Sequence, residues 1–334
     1  MRIAVVIPAY KVRDQILGVI SRIGPEVDAI YVVDDACPEG SGSLVESRCH
    51  DPRVRVIRRP SNGGVGAAVK TGWRAALADD CDIMVKIDGD GQMDPRLLPA
   101  FITHITAGRA DYTKGNRFFD PENVRRMPRI RLLGNAVLSF MSKASSGYWH
   151  MFDPTNGYTA ISRAALRLMP LDKIADRFFF ESDVLFRLGT IRAVVKDIPM
   201  IAVYLDEPSS LSVRNIVGPF LLGHSRAFLK RIVYNHYLRS FSVASIELLL
   251  ALPLIVFGLV YGISTWIGAS SQGLSATSGQ VMIAALPILV GVQLLLAFLQ
   301  YDIASTPDEP LSPMLEAVPR TSDTLDVEDP SPPT

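Results

Sequence analysis

The sequence predicts an α/β domain with a mainly parallel central sheet, followed by a hairpin of two transmembrane helices near the C-terminus. Short β-branched runs alternate with helical patterns in the first part of the chain. Strands that are apolar at nearly every position belong to parallel sheets covered on both faces. Two long apolar stretches come later, and an acidic segment closes the sequence. With 334 residues, the chain has room for two domains at roughly 150 residues each. Hydrophobic side chains make up 48 % and charged ones 20 %, below the usual value of about 25 %. The mean hydropathy of +0.22 is high for a chain that lies wholly in water.

Strands are expected at 3–7 (I-A-V-V-I), 29–33 (A-I-Y-V-V), 54–57 (V-R-V-I) and 83–87 (I-M-V-K-I). Helices are expected at 13–23, 64–78 and 95–107. The last opens on Asp94-Pro95, where Asp suits the N-cap and Pro the first helical position. Ligands of such sheets sit at the carboxyl ends of the strands. Those ends read Pro8-Ala9-Tyr10, Asp34-Asp35 and Asp88-Gly89-Asp90.

Residues 242–268 carry one charge, Glu247, and 281–301 carry none. At about 1.5 Å per residue each run reaches roughly 30 Å, enough to cross a hydrocarbon core. Two buried core helices are the alternative, but a core helix of that length normally shows a polar face. Arg214, Arg226, Lys230, Arg231 and Arg239 precede the first span with no acid between Glu207 and Glu247, whereas the loop at 269–280 is uncharged. The positive-inside tendency therefore places the basic flank, and the domain before it, in the cytoplasm. Residues 213–240 mix these cations with apolar side chains, as an interfacial helix would; a solvated helix packed on the first domain is the alternative.

The formal charge is zero, from 34 basic and 34 acidic residues, which argues against a polycation built for nucleic acid. From Asp302 onward eight acidic residues and one basic one leave −7, so residues 1–301 carry +7. That end is too poor in apolar side chains to bury anything, and 302–334 is expected to be a disordered cytoplasmic tail. The chain thus divides into a domain at 1–212, a basic segment at 213–240, the spans within 241–301 and the tail. Cys37, Cys49 and Cys81 lack metal-ligand spacing and read as reduced thiols. The N-terminus, Met-Arg-Ile-Ala-Val-Val-Ile-Pro, lacks a signal-peptide pattern.

The sharpest chemical signal is Lys86-Ile-Asp-Gly-Asp-Gly-Gln-Met-Asp-Pro. Two carboxylates one glycine apart, directly after an apolar strand, face a crevice rather than the core. Hard oxygen ligands so close together suit Mg²⁺ or Mn²⁺ held jointly with a diphosphate. Asp34 and Asp35 follow the second strand in the same way. They either cap a turn or hydrogen-bond a base or ribose lying across the sheet edge. Asn62-Gly-Gly-Val-Gly-Ala-Ala could cradle a phosphate at a helix N-terminus. Gly64-x-Gly66 does not follow the first strand and lacks the full dinucleotide fingerprint, and no P-loop motif is present.

I-P-A-Y at 7–10, V-V-D-D at 32–35, N-G-G-V-G-A-A at 62–68, D-G-D-G-Q-M-D-P at 88–95 and K-G-N-R-F at 114–118 together resemble the family 2 glycosyltransferases of GT-A fold. The chain looks most like their membrane-anchored polyprenyl-phosphate sugar transferases, of the dolichyl-phosphate mannose synthase kind, over residues 1–205. The resemblance implies donor binding by Pro8, Ala9, Tyr10, Asp35 and Asp88, with Asp34 and Gly66 beside them. It implies Asp88, Asp90 and Gln92 at the metal, and Arg117 and Arg131 at an acceptor phosphate. Asp153, in F-D-P-T-N-G-Y, matches an acid at the reaction centre, with Glu181 and Asp183 of F-F-F-E-S-D as competing candidates. Trp149 and His150 could line the acceptor side. The segment Tyr204-Leu-Asp-Glu-Pro-Ser-Ser-Leu lacks a basic residue found in a late motif of dolichyl-phosphate enzymes, and the Gln-x-x-Arg-Trp motif of processive relatives is missing.

The expected function is therefore an inverting, metal-dependent transfer of one sugar from a UDP- or GDP-linked donor to a membrane acceptor, most simply polyprenyl phosphate. An acceptor phosphate is already an anion and needs positioning by arginine. Transfer to a hydroxyl of a lipid-linked or cell-surface glycan is the alternative, and it needs a carboxylate to take the proton. A non-catalytic membrane scaffold that binds nucleotide-sugar is the alternative of another class. A homo-oligomer is left open.

Overall fold

The protein's structure, a computed structural model, describes residues 1–119, 129–200 and 213–312; side chains are described for the same residues except 129–131 and 213–217. Strands β1 (Ile3–Ala9), β2 (Ala29–Asp34), β3 (Val54–Arg58), β4 (Ile83–Lys86), β5 (Tyr112–Asn116), β6 (Thr159–Ser162) and β7 (Val195–Pro199) form one sheet in the order β3-β2-β1-β4-β6-β5-β7. The pairs β1–β2, β2–β3, β1–β4 and β5–β7 are parallel, and β6 runs antiparallel to both its neighbours. The four runs read from sequence are β1 to β4. The other three strands contain Lys, Thr, Gly and Asp, which broke the apolar pattern.

Side chains alternate across the sheet because successive residues of a strand point to opposite faces. Val5, Ile7, Ile30, Val32 and Val85 pack with Phe101 on one face, and Ala4, Val6, Tyr31, Val33 and Met84 pack with Trp73 and Phe180 on the other. Helices α1 (Ile16–Ile20), α2 (Ser41–Arg48), α3 (Val65–Ala78) and α4 (Leu98–Thr106) connect the first strands. The helix expected at 13–23 is shorter, spanning Ile16–Ile20, with Ile16, Val19 and Ile20 buried in the core. The one expected at 95–107 begins as a single 3₁₀ turn, Pro95–Leu97, with Asp94 accepting from the Arg96 N–H at 3.0 Å.

Helices α5 (Arg129–Ser146), α6 (Arg163–Leu168) and α7 (Phe180–Ile191) complete the catalytic layer. Helix α8 (Val213–Val233) runs on into a π-helical turn at Tyr234–Arg239. One side of α8 docks through Phe220 and His224 against Phe179, with His224 Nδ1 2.8 Å from Ser145 Oγ. Its other side leaves Leu221, Leu222, Leu229 and Val233 exposed, and α5 exposes Leu133, Val137 and Phe140 at helical spacing. The segment is thus both docked and apolar outward, combining features of the two readings of 213–240; the side chain of Arg214 lies outside the described residues.

Helices α9 (Val243–Ser271) and α10 (Ser278–Ala304), of 29 and 27 residues, are long and apolar enough to cross a membrane. Most of their side chains are exposed, which sets them apart from core helices. They pack where side chains are missing: a Cβ on Gly258 would meet Ala284 O at 2.6 Å, and one on Gly291 would meet Ala251 O at 2.9 Å. Glycine lets helix backbones approach in this way.

The boundary expected at residue 302 is displaced. Helix α10 continues through Asp302 because Arg231 takes up its charge at 2.6 and 3.0 Å. Beyond it, the Leu311 N–H donates to the Asp111 carboxylate at 2.9 Å, so residues up to 312 lie against the catalytic sheet. The remaining expected tail, 313–334, and the late motif at 204–211 lie outside the described residues.

Candidate active site

The D-G-D-G turn follows β4 at the carboxyl edge of the sheet, where Gly91 has φ +79°, a conformation that favours glycine. Asp88 is partly exposed there, and its Oδ1 lies 2.9 Å from Lys86 Nζ. Lys86 Nζ also reaches Glu181 Oε1 on α7 at 3.2 Å. Burial opposes the Lys86 charge, yet the two carboxylates outweigh it and hold the ammonium above its ordinary value. Asp90 Oδ1 accepts from the Gln92 N–H at 3.0 Å, which closes the turn.

Among the described residues no three acids, histidines or cysteines form a ready-made metal cage. Two carboxylates and the Gln92 amide nevertheless form a hard oxygen donor set on one partly exposed turn. Such a set suits Mg²⁺ or Mn²⁺ when a phosphate-bearing ligand supplies the remaining oxygens.

The other residues expected to bind the donor sit at the ends of β1 and β2 and in the glycine-rich loop. Tyr10 is 42 % exposed at the rim, and Pro8 is partly buried. Ala9 is fully buried and offers the crevice only backbone, its carbonyl already accepting from the Asp35 N–H at 3.1 Å. Asp35 accepts from Gly63 and Gly64 N–H at 3.0 and 2.7 Å and pairs with Arg59, so it fastens the glycine-rich loop to the strand end.

Two expected donor residues are corrected. Asp34 is spent on structure: its oxygens accept from Cys37 N–H at 2.7 Å and Gly42 N–H at 2.9 Å, which caps the turn into α2. At Gly66 the start of α3 lies against the chain itself, which gives the glycine a packing role. A Cβ there would meet Ala175 O at 2.3 Å and the Phe180 ring at 2.6 Å.

Asp153, expected at the reaction centre, is buried with φ +55°. Arg117 grips it as a fork, with Nε to Oδ2 and Nη2 to Oδ1 both at 2.7 Å and the Arg117 N–H at 3.1 Å. Burial works against the Asp153 charge, but Arg117 and Lys114 prevail and hold its carboxyl below the usual carboxylate range. Gly157 ends the same loop; a Cβ on it would lie 2.5 Å from both Asp88 Oδ2 and Lys86 Nζ. The D-x-D turn and the Asp153 loop therefore meet at this glycine.

Asp183 accepts from the Ala175 N–H at 2.8 Å and pairs with Arg187 at 3.2 Å, contacts that hold the start of α7 to the segment before it. Trp149 donates to Asp302 at 2.8 Å, and His150 sits 3.2 Å from Val195 O, so both serve packing of the apolar hairpin and of β7. Arg131 lies on α5, but its side chain lies outside the described residues.

Residues 4–169 match the family described as glycosyl transferase family 2. An undecaprenyl-phosphate mannosyltransferase of Micrococcus luteus is 29 % identical over 231 residues, covering 68 % of this chain and 93 % of that one. A polyprenol monophosphomannose synthase of Mycolicibacterium smegmatis is 31 % identical over 205 residues, covering 60 % of this chain and 76 % of that one. The chain belongs to glycosyl transferase family 2. As a glycosyltransferase it is an enzyme, and the scaffold alternative falls away. Glucosyl-3-phosphoglycerate synthase from Mycobacterium tuberculosis, solved with Mn²⁺, uridine diphosphate and phosphoglyceric acid, superposes with TM-score 0.51 at 20 % identity over 69 % of this chain and 78 % of that one. That likeness establishes the GT-A fold of this glycosyltransferase and nothing narrower.

Three charged residues of its site escaped the sequence reading. Lys86, Lys114 and Asp197 stand in one row with Thr159, directly opposite one another across β4, β6, β5 and β7. Lys114 Nζ and Asp197 Oδ1 are buried with no hydrogen-bond partner among the described residues. Burial pushes the Lys114 ammonium down, and Asp153 and Asp197 offset this only in part. The signal was present: a lysine inside an otherwise apolar strand has to find an anion.

Proposed function

We propose that this glycosyltransferase moves a single hexose-type sugar from a UDP- or GDP-linked donor to polyprenyl phosphate, by one in-line displacement with inversion. The Arg117–Asp153 fork carries the choice of acceptor. A hydroxyl acceptor needs a carboxylate able to take its proton. Asp153, Glu181 and Asp183 are instead each engaged by a cation. A phosphate acceptor arrives as an anion and needs arginine for positioning. The names of both mannosyltransferase relatives point the same way, since one specifies undecaprenyl phosphate and the other a polyprenol monophosphate product.

In this reading Tyr10 receives the nucleoside at the strand ends, beside the glycine-rich loop that Asp35 fastens. Asp88, Asp90 and Gln92 would hold Mg²⁺ or Mn²⁺, which when bound neutralises charge on the departing diphosphate. Lys86 pairs with both Asp88 and Glu181 and so ties the D-x-D turn to α7. Asp153 holds the Arg117 guanidinium in one orientation for the acceptor phosphate, and Lys114 adds positive charge behind it. Helices α9 and α10 span the membrane, with the catalytic domain on the cytoplasmic side, so acceptor and pocket meet at the bilayer surface.

The test is to incubate the purified protein with Mn²⁺, a panel of UDP- and GDP-sugars and undecaprenyl phosphate, and to analyse lipid products by mass. A glycosyl phospholipid is expected, abolished by chelator and by Arg117→Ala. Product found only on an elongated glycan would overturn the acceptor, and undiminished activity in chelator would overturn the metal.

A further inference from the structure

A recess of about 80 Å³ opens where α7, the π-helical turn and the C-terminal end of α10 converge. A single water needs roughly 10–15 Å³ of such space, so the recess holds several waters or one tetrahedral phosphate. None of Asp88, Asp90, Arg117 and Asp153 lines it. Its walls include Arg192, Arg231, Asn235, Ser240 and Asp302.

The charge in it is unbalanced. Asp302 is the acid in the wall, and it is already consumed: Arg231 binds both its oxygens, His236 Nε2 lies at 3.0 Å and Trp149 Nε1 at 2.8 Å. Arg192 is exposed at the C-terminal cap of α7 and has no ion-pair partner among the described residues. Arg239, outside the lining but beside Ser240, donates to the uncharged Thr190 carbonyl at 2.7 Å. Asn235 Oδ1 is buried without a hydrogen-bond partner among the described residues and so calls for a donor.

The chain beside the recess is apolar. Leu238, Phe241 and Val243, close in sequence to the lining residue Ser240, are 73 %, 65 % and 71 % exposed. Ser240 stands just before α9, and the recess also touches the end of α10 at Tyr301 and Asp302. A soluble anion would account for the arginines but not for these exposed apolar side chains at the ends of the hairpin. A phospholipid accounts for both, because its phosphate answers the cations while its chains cover the apolar side chains.

We propose that this recess binds the headgroup of an anionic phospholipid, with phosphate toward Arg192 and a headgroup hydroxyl toward Asn235. The site is separate from the acceptor site; it rests on the membrane reading of α9 and α10 and not on the identity of the acceptor. A lipid held there fixes the catalytic domain to the bilayer at the ends of the hairpin.

The test uses the full chain purified in mild detergent with equal amounts of phosphatidylglycerol and phosphatidylcholine, and native mass spectrometry of the lipid retained. The wild type should favour phosphatidylglycerol by about fivefold, the preference expected of one arginine at an anionic headgroup. Arg192→Gly should abolish the preference while keeping the fold, because its backbone at φ +58° suits glycine better than arginine. Arg192→Lys should restore much of it. Equal preference in wild type and Arg192→Gly overturns the proposal, as does complete loss of bound lipid to millimolar inorganic phosphate, which would mark a free-anion pocket. Release of the chain from membranes by carbonate would overturn the membrane reading too, whereas retention with an unchanged lipid ratio overturns the lipid site alone.

Discussion

Gly157 carries more of the site than its size suggests. With no side chain, it lets the Asp153 loop lie against Asp88 and Lys86; a methyl group would have to displace the ends of those two side chains. Gly157→Ala should therefore leave the fold intact by circular dichroism and lower kcat/KM about a hundredfold, the cost of misplacing reacting groups by an ångström. Asp153 gives a pH prediction. Its folded pKa is depressed, so the stability that its pairing with Arg117 contributes is fully present above the unfolded value of about 3.9 and is lost as pH falls through the lower folded value. Asp153 consequently does not titrate between about pH 5 and 8. The acid limb of activity should belong to the acceptor phosphate, whose second ionisation lies near about 6. Profiles of wild type and Asp153→Asn should share that limb; a limb that vanishes in the variant would make Asp153 the base.

Single elements explain why part of the site was legible and part was not. The apolar runs of β1, β2 and β4 marked their own carboxyl ends, and with them Tyr10, Asp35, Asp88 and Asp90. Strands β5, β6 and β7 hid because Lys114, Thr159 and Asp197, opposite one another in register, interrupt their apolar pattern. The glycines of α3 were visible but ambiguous: a phosphate cradle and a close helix contact require the same residue. Gly66→Ala decides between them. It should cost about 1–3 kcal/mol in thermal or denaturant unfolding, as overpacking does, while the donor KM changes little. A large rise in donor KM at unchanged stability would restore the phosphate role.

Across the whole molecule, α8, the hairpin and the catalytic domain meet at a buried carboxylate, Asp302. Arg231 and Asp302 come from α8 and α10, each 3 % exposed or less at the side chain, and Trp149 of the catalytic domain closes on the same carboxylate. Removing one partner of such a pair strands the other charge. Asp302→Leu should destabilise the detergent-solubilised protein by about 3–5 kcal/mol, and adding Arg231→Met should recover much of the loss. Equal unfolding midpoints for wild type and Asp302→Leu would show that the junction is held by apolar contacts alone. The strap at Leu311, whose N–H reaches Asp111, fastens the same end of the chain a second time.

The sequence by itself determined the layout of domain, basic segment and apolar hairpin, the family, and the turn that bears Asp88 and Asp90, because periodicity and short motifs are local properties of the chain. Only the tertiary structure decided that Asp34 and Gly66 serve the fold, that Asp153 is held by Arg117, and that Asp302 belongs to a buried junction rather than a tail. Each of those outcomes depends on which distant group arrives first at a carboxylate or at a missing Cβ, and that is a matter of packing between residues far apart in the chain.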